Sequence, residues 1–340
     1  MKKKKFLVPL LILLGIVVLF SAYAYSVVST GFDIEKTTYV YVDTSKDYNA
    51  LLNKVDNEAR VKSLSNFKLI ASFLDCEGKM RPGRYAVSPD MTILDLIRNI
   101  RNGRQTPVKL TFNNIRTKQE LAKRISEQLM FSEEDLLSAL DKIQVCEKYG
   151  FNKQTIVAMF IPNTYEFYWT ITLSDFLDRM NKEYQKFWNN DRKALAQKVG
   201  LTPIEVSTLA SIVEEECTYS DEYPMVAGLY LNRLRVGQNL QADPTVKFAV
   251  GDFSLRRILN VHLQVNSPYN TYMNAGLPPG PIRIPSIKGI DAVLNHNSHD
   301  YLYMCAKEDF SGRHNFAVTY AEHQRNALLY RKALDARGIK

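Results

Sequence analysis

The first 28 residues restrict the possible folds of this chain more than any other feature. Lys2 to Lys5 precede Phe6 to Val28, a run of 23 residues without a charged side chain. At about 1.5 Å per residue the run forms a helix of roughly 34 Å, long enough to cross a bilayer core of roughly 30 Å. The positive-inside rule keeps the lysines in the cytoplasm. We therefore predict a cytoplasmic tail at 1–5 and a transmembrane anchor at 6–28, in a single-pass protein of the cell (inner) membrane.

A cleaved signal peptide is the alternative interpretation, because Ala22-Tyr23-Ala24 matches an A-x-A-like cleavage site. The apolar run is longer than the usual h-region, which favours an uncleaved anchor. Both interpretations place the remaining chain on the extracytoplasmic side.

The charge distribution argues against nucleic-acid binding. The formal net charge is +8, and the four lysines at the N-terminus account for half of it. The exported part contains no basic block, which nucleic-acid binding normally requires. Its weakly basic surface is compatible with an anionic membrane or wall polymer.

The cysteines and histidines predict neither a disulfide framework nor a metal site. The four cysteines form no C-x-x-C pair and are expected to be mostly buried free thiols: Cys76, Cys146, Cys217 and Cys305. His296 and His299 have no Glu or Cys at ligand spacing. We expect no metal and no cofactor.

After the anchor, the sequence pattern indicates two domains. A strand at Thr37–Val42, two helices, a strand at Arg84–Val87 and a helix ended by Asn102-Gly103 indicate a small α+β module at 29–106. A larger mixed α/β domain is predicted at 107–340. It begins with a strand at 108–112, and its later helices are expected to be capped by Thr117, Ser132, Ser174 and Thr319.

The motif Glu214-Glu215-Glu216 lies at the end of a helix that Thr202-Pro203-x-Glu205 is expected to begin. On a helical wheel Glu214 lies on the flank of the apolar face and Glu216 just inside its other edge, whereas Glu215 points away and should be solvated. Partial burial beside like charge raises the pKa of a carboxyl, as a general acid at neutral pH requires. An amphipathic helix with an acidic outer face is the alternative explanation.

Several polar, turn-forming clusters follow this helix. They are Asn232-Arg233-Leu234, Gln241-Ala242-Asp243-Pro244-Thr245, Tyr269-Asn270-Thr271-Tyr272 and Gly276-Leu277-Pro278-Pro279-Gly280-Pro281-Ile282. Together with Ala210 to Glu216, the series resembles the YceG-like endolytic murein transglycosylases, and the resemblance extends from the membrane segment to the C-terminal helix. The chain departs from the family pattern at Glu215, commonly lysine, and at Cys217, commonly threonine.

The resemblance implies a LysM-like module at 29–106 and a catalytic domain at 107–340. It implies an endolytic peptidoglycan lytic transglycosylase that cleaves the MurNAc–GlcNAc β-1,4 bond of nascent strands near the membrane. This reaction leaves a 1,6-anhydroMurNAc end and terminates glycan polymerisation. Glu214 matches the catalytic glutamate and would act as general acid, then base. Glycan strands are the expected substrate, the membrane holds the N-terminal helix, and peptidoglycan synthases are candidate partners.

Polar side chains in the downstream clusters are candidate substrate contacts. We assign this role to Asn232, Arg233, Gln241, Asp243, Asn270 and Tyr272, whose amide, hydroxyl and charged groups suit sugar hydroxyls, N-acetyl groups and carboxylates. A turn-stabilising role is the alternative for Asp243. His314, in a Gly-x-His-x-Phe hairpin motif, is the leading site histidine.

Two other functions remain open. One is a muramidase-type hydrolase in which Asp243 or Glu166 handles water. The other is a membrane-anchored, non-catalytic glycan-binding scaffold that uses the LysM-like module.

Overall fold

The computed structural model describes residues 2–255 and 257–338, with side chains described from residue 8 onward. The chain divides into two compact units. The first contains Met1–Leu110, Gln128–Phe131 and Tyr165–Ile171, and the second contains Thr111–Glu127, Ser132–Thr164 and Thr172–Lys340. The predicted module at 29–106 therefore lies within the first unit.

The N-terminal helix α1 spans Lys2–Val28. Its segment Val8–Val28 has 21 residues with a mean hydropathy of 2.4, and almost all of it is exposed. A helix of this length and exposure is compatible with the membrane anchor predicted at 6–28. The side chains of the predicted cytoplasmic tail, 1–5, lie outside the described residues.

The rest of the first unit is a small α+β module. Its elements are β1 (Thr38–Val42), α2 (Tyr48–Asn57), α3 (Leu64–Phe73), α4 (Cys76–Lys79), β2 (Gly83–Val87) and α5 (Ile93–Asn102). The two strands are antiparallel, with Thr38 opposite Val87 and Val42 opposite Gly83. The predicted order of strand, helix, helix, strand and helix is confirmed, and the short α4 was not anticipated. The LysM-like character of this module stays a prediction.

The remaining elements of the chain are mainly helical. The elements are β3 (Val108–Phe112), α6 (Lys118–Ser126), α7 (Glu133–Asp141), α8 (Ile143–Lys148), β4 (Asn163–Phe167), α9 (Leu173–Phe187), α10 (Asn190–Lys198), α11 (Pro203–Glu216), α12 (Tyr223–Arg235), α13 (Asp243–Val250), α14 (Ile287–Leu294), β5 (Tyr303–Ala306), β6 (His314–Ala317) and α15 (Tyr320–Ala336). Strand β3 pairs with β4. Strands β5 and β6 form an antiparallel pair in which Ala306 lies opposite His314.

Most of the predicted helix starts in the second unit are confirmed. The side chains of Thr117, Ser132 and Thr319 each accept a hydrogen bond from the backbone three residues later, and α6, α7 and α15 begin directly after them. The start predicted at Ser174 is wrong, because Thr172 caps α9 instead. Both residues offer a hydroxyl, but Thr172 has an acidic residue three positions later, which completes the favourable spacing.

Helix α11 lies at the centre of the second unit and packs against α10, α12, α13 and α14. It begins at the predicted capping box of Thr202. All residues from Val206 to Glu214 are buried, so the alternative of an amphipathic helix with an acidic outer face is wrong. The hydroxyls of Ser207, Thr208 and Ser211 donate to carbonyls one turn earlier in the helix, which satisfies them inside the core.

Candidate active site

The three glutamates at the end of α11 lie in three different environments. Successive helical residues are about 100° apart, so consecutive side chains point in different directions. Glu214 lies against the N-terminus of α14, Glu215 lies between two arginines, and Glu216 lines cavities. Each carboxyl therefore has a distinct role.

The Glu214 carboxylate joins α11 to α14. Its Oε1 accepts hydrogen bonds from the backbone N–H of Ser286, at 2.9 Å, and from the Ser286 hydroxyl. Its Oε2 forms an ion pair with Nε of Arg283 at 3.6 Å, too long for a hydrogen bond. A Cβ atom at Gly289 would lie 2.2 Å from Oε1, so the close packing requires glycine there. Glu214 is buried among these partners and lines neither of the two cavities that Glu216 lines.

Glu215 is not solvated, contrary to the prediction. Its side chain is 15% exposed and accepts from Nη2 of Arg116 at 2.8 Å and from Nη1 of Arg283 at 2.6 Å. Arg116 precedes α6 and Arg283 precedes α14, and both reach the end of α11. Arg283 also hydrogen-bonds to Asn114. Distant segments of the chain thus neutralise this glutamate.

Glu216 and Asp243 border two cavities of the second unit. The narrower cavity measures about 210 Å³ and is lined by Glu216, Leu229, Tyr230, Arg233, Gln241, Asp243, Tyr272, Met304, Cys305, Ala306 and His314. The wider one measures about 740 Å³, and its lining also includes Lys247, Arg257 and residues of α15. A carboxyl at such a border is accessible to a ligand in either cavity.

The surroundings of Glu216 bring the pKa of its carboxyl close to neutral. Burial raises the pKa of Glu216 from 4.5 to about 7. The hydroxyl of Tyr230, which donates to Glu216 at 3.0 Å, acts in the opposite direction. Among the nearby charges, Asp243 raises the pKa and Arg233 lowers it. A carboxyl with this pKa can both donate and accept a proton.

Asp243 is held beside Glu216 by a tyrosine. The hydroxyl of Tyr272 donates to Oδ1 of Asp243 at 2.6 Å. Asp243 is the first residue of α13, and the following Pro244 occupies the first turn of that helix. Proline is well tolerated in a first helical turn.

Arg233 and Gln241 also line the narrow cavity, and the backbone fixes both. Arg233 is buried, and it donates from Nε to the carbonyl of Leu302 at 2.6 Å and from Nη1 to that of Leu240 at 2.7 Å. Gln241 has a left-handed backbone with a φ of +47°, and its N–H donates to the carbonyl of Thr271 at 3.1 Å. A non-glycine residue in this conformation needs such support.

The structure does not place Asn232 and Asn270 in the cavity lining. Asn232 donates to the carbonyls of His299 at 2.7 Å and Tyr301 at 3.1 Å. The fully buried Asn270 donates to two carbonyls of the preceding loop, each at 2.9 Å, and accepts from the N–H of Tyr272 at 3.0 Å. Their amides are occupied by the chain itself, so these contacts position loops. Their role in substrate binding stays a prediction.

His314 lines the narrow cavity and is oriented by Glu222. The backbone N–H of His314 donates to Oε1 of the buried Glu222 at 3.1 Å, and its ring Nδ1 lies 3.4 Å from Oε2. A carboxylate beside Nδ1 fixes the orientation of an imidazole ring. The hairpin motif in the sequence had indicated this histidine.

Several residues of the site could not be identified from the sequence motifs. Tyr230 lies on α12 outside the polar clusters, and Arg116 is separated from Glu215 by 99 positions. Cys305 lines the narrow cavity from β5. Within the part of the chain that the structure describes, the cysteines are free thiols, three of them buried, as predicted.

Comparison with known proteins identifies relatives along most of the chain. The model of the YceG-like family matches residues 40–328. The endolytic murein transglycosylase of Bacillus subtilis (strain 168) is 26% identical over 309 residues, which cover 86% of this chain and 84% of the relative. That of Streptococcus pneumoniae serotype 2 (strain D39 / NCTC 7466) is 31% identical over 169 residues, 48% of this chain and 30% of the relative. The crystal structure of a YceG-like protein from Listeria monocytogenes covers 86% of this chain and 99% of its own, with a TM-score of 0.55 and 25% identity.

The Glu216→Gln variant should be more stable than the parent protein in alkaline solution. The pKa of Glu216 is raised on folding, so its contribution to stability is present below pH 4.5 and is lost as the pH rises through about 7. The difference in unfolding free energy should approach at most about 3 kcal/mol above pH 7. Thermal denaturation at about pH 4 and about pH 8 checks this. A variant that is no more stable than the parent at the higher pH would contradict the burial of this carboxyl.

Asn270→Ala should destabilise the second unit, because it removes one donor group and one acceptor from a fully buried network. We expect a loss on the order of 3 kcal/mol, measured as a lower unfolding temperature by circular dichroism. Gln241→Ala is the control, because Gln241 is exposed and its hydrogen bond to Thr271 is donated by the backbone N–H. Equal unfolding temperatures for the two variants would contradict the structural role of Asn270.

Proposed function

Because the chain belongs to the YceG-like family, we propose that it is a lytic transglycosylase of peptidoglycan that uses Glu216 as general acid and then as base. The observation that supports this most is the position of Glu216. Its carboxyl, with a pKa raised to about 7, borders a cavity together with Arg233, Asp243 and Tyr272. The names of the relatives, endolytic murein transglycosylases, supply the substrate class.

In the first step Glu216 donates its proton to the oxygen of the glycosidic bond. The bond between C1 of N-acetylmuramic acid and that oxygen breaks, the N-acetylglucosamine end leaves as an alcohol, and positive charge develops on the muramic acid ring. The Glu216 carboxylate that forms is stabilised by the Tyr230 hydroxyl and by the charge of Arg233. Asp243 contributes a negative charge near the developing cation.

In the second step the Glu216 carboxylate accepts the proton of the C6 hydroxyl on the same muramic acid residue. The C6 oxygen then bonds to C1 and closes a 1,6-anhydro ring, which returns Glu216 to its protonated form. The nucleophile belongs to the substrate, so the chain needs neither a nucleophilic side chain nor an activated water. A single titrating carboxyl is sufficient for both steps.

Glu214 is the competing assignment for the acid, since the sequence resemblance selects it. Its carboxylate already accepts two hydrogen bonds from Ser286 and pairs with Arg283. These partners would have to separate before Glu214 could reach a sugar. The geometry therefore favours Glu216, two residues later on the same helix.

The bond specificity and the cellular role are also part of this proposal. We infer that the enzyme cleaves the MurNAc–GlcNAc β-1,4 bond within nascent strands, on the extracytoplasmic side of the membrane that α1 spans. Cleavage there would end glycan polymerisation, which makes peptidoglycan synthases the expected partners. The exposed apolar segment Val8–Val28 supports this location.

Glu216→Gln should abolish cleavage, because glutamine cannot transfer the proton; we expect a loss of at least about 100-fold. Purified peptidoglycan is digested with each variant, and the products are analysed by mass spectrometry. The parent protein should release muropeptides one water lighter than hydrolytic products. Glu214→Gln is the matched control and should still release them.

Three results would contradict the assignment. Activity in Glu216→Gln together with a folded but inactive Glu214→Gln would return the acid role to Glu214. Products with free reducing ends would indicate a muramidase-type hydrolase. Binding of glycan by the parent protein without cleavage would indicate a scaffold.

Two substitutions should move the alkaline limb of the pH–activity profile in opposite directions. Asp243→Asn removes a charge that raises the pKa of Glu216, so the limb should shift to lower pH. Tyr230→Phe removes a hydrogen bond that lowers this pKa, so the limb should shift to higher pH. Each shift should be about one pH unit or less. If the alkaline limb of the pH profile of kcat/KM is identical in the parent protein and both variants, the ionisation of Glu216 does not determine it.

A further inference from the structure

Helix α3 of the first unit carries an exposed apolar face that the proposed reaction does not use. Phe73 is 84% exposed and Leu69 is 51% exposed. At about 100° per residue, Asn66, Leu69 and Phe73 lie on one side of α3, whereas Phe67 and Ala71 are buried in the module core. Leu69 and Phe73 therefore form an adjacent pair of exposed apolar side chains, and contiguous exposed apolar surface is typical of interaction sites.

The end of the anchor helix is joined to the same side of α3. The side-chain amide of Asn66 donates to the hydroxyl of Thr30 at 2.9 Å, and the backbone N–H of Lys62 donates to the carbonyl of Gly31 at 3.1 Å. Val27 is 3% exposed, although the apolar side chains earlier in α1 are mostly more than half exposed. Val27 is therefore buried at the end of α1, where this helix contacts α3.

This attachment fixes the depth of the start of α3 along the membrane normal. A segment of 21 residues extends about 31 Å, close to the thickness of the hydrocarbon core. When Val8–Val28 crosses a membrane, its C-terminal end lies at the headgroups, and so does the start of α3, which is joined to it. The exposed Tyr23 and Tyr25 are of the type found at this interface. The exposed Lys62 and Lys68 add charge that favours anionic headgroups.

We propose that Leu69 and Phe73 insert into the interfacial region of the lipid bilayer beside the anchor, so that the first unit lies on the membrane surface. The lipid bilayer is the occupant because α3 contacts the end of α1, a helix whose apolar side chains are exposed along most of its length. The proposal rests on α1 spanning the membrane and does not depend on the reaction at Glu216. Two contacts, the anchor and α3, would then hold the module against the membrane.

Tryptophan fluorescence in the full-length protein tests this contact. Phe73→Trp and Ser72→Trp are reconstituted into vesicles of equal parts phosphatidylcholine and phosphatidylglycerol, with and without bromine near the glycerol end of the acyl chains. Ser72 is an exposed neighbour about 100° around the same helix. The fluorescence of the tryptophan introduced at position 73 should fall by more than about half in brominated vesicles, as expected for insertion to about 5–10 Å. The fluorescence of the tryptophan introduced at position 72 should fall much less.

Flotation of the vesicles tests the membrane anchor separately from the insertion of α3. Protein that floats with the vesicles but shows equal or no quenching at positions 72 and 73 would overturn the insertion of α3 and favour a protein partner for this face. Protein that does not float would overturn the anchor and the α3 contact together. Neither result would change the mass-spectrometric test of Glu216.

Discussion

The burial of α11 on every side is the constraint on which the rest of the site depends. A helix enclosed by four others cannot turn its last residues to water, yet three consecutive glutamates occupy its end. An unpartnered buried carboxylate is strongly unfavourable, so each one must be paired, hydrogen-bonded or protonated. Glu214 and Glu215 are satisfied by hydrogen bonds and arginines, and Glu216 retains its proton near neutral pH.

The charges of this cluster distinguish Glu216, the proposed acid, from the other two carboxyls. Glu214 and Glu215 face Arg283 and Arg116, so these four groups have no net formal charge. Among the residues that the structure describes, none forms an ion pair with Glu216, because the nearby guanidinium of Arg233 donates its hydrogen bonds to backbone carbonyls. The replacement of the family's usual lysine by Glu215 adds a negative charge at this point, and the two arginines compensate for it.

Local sequence patterns predicted much of the fold but less of the site. The capping box at Thr202 and the hairpin containing His314 were identified correctly because their partners lie within a few residues or in the next strand. Of the six candidate substrate residues, four line the cavity together with Glu216. The environments of Glu215 and Asn232 were not predictable, because their partners are carbonyls or arginines about 65 to 100 positions away in the chain. Helical phase had identified the edge position of Glu216, and only packing distinguished it from Glu214.

Residues outside the cavity also control the charge inside it. The buried amide of Asn270 accepts a hydrogen bond from the backbone of Tyr272, and the Tyr272 hydroxyl in turn donates to Asp243. Asp243 raises the pKa of Glu216, so the loop that Asn270 holds determines where this negative charge lies. A residue selected from the sequence as a sugar ligand thus influences Glu216 through two intervening side chains. Its position away from the cavity is compatible with an essential role, because in the proposed reaction Glu216 first gives and then takes a proton, and this depends on the charges fixed around the carboxyl.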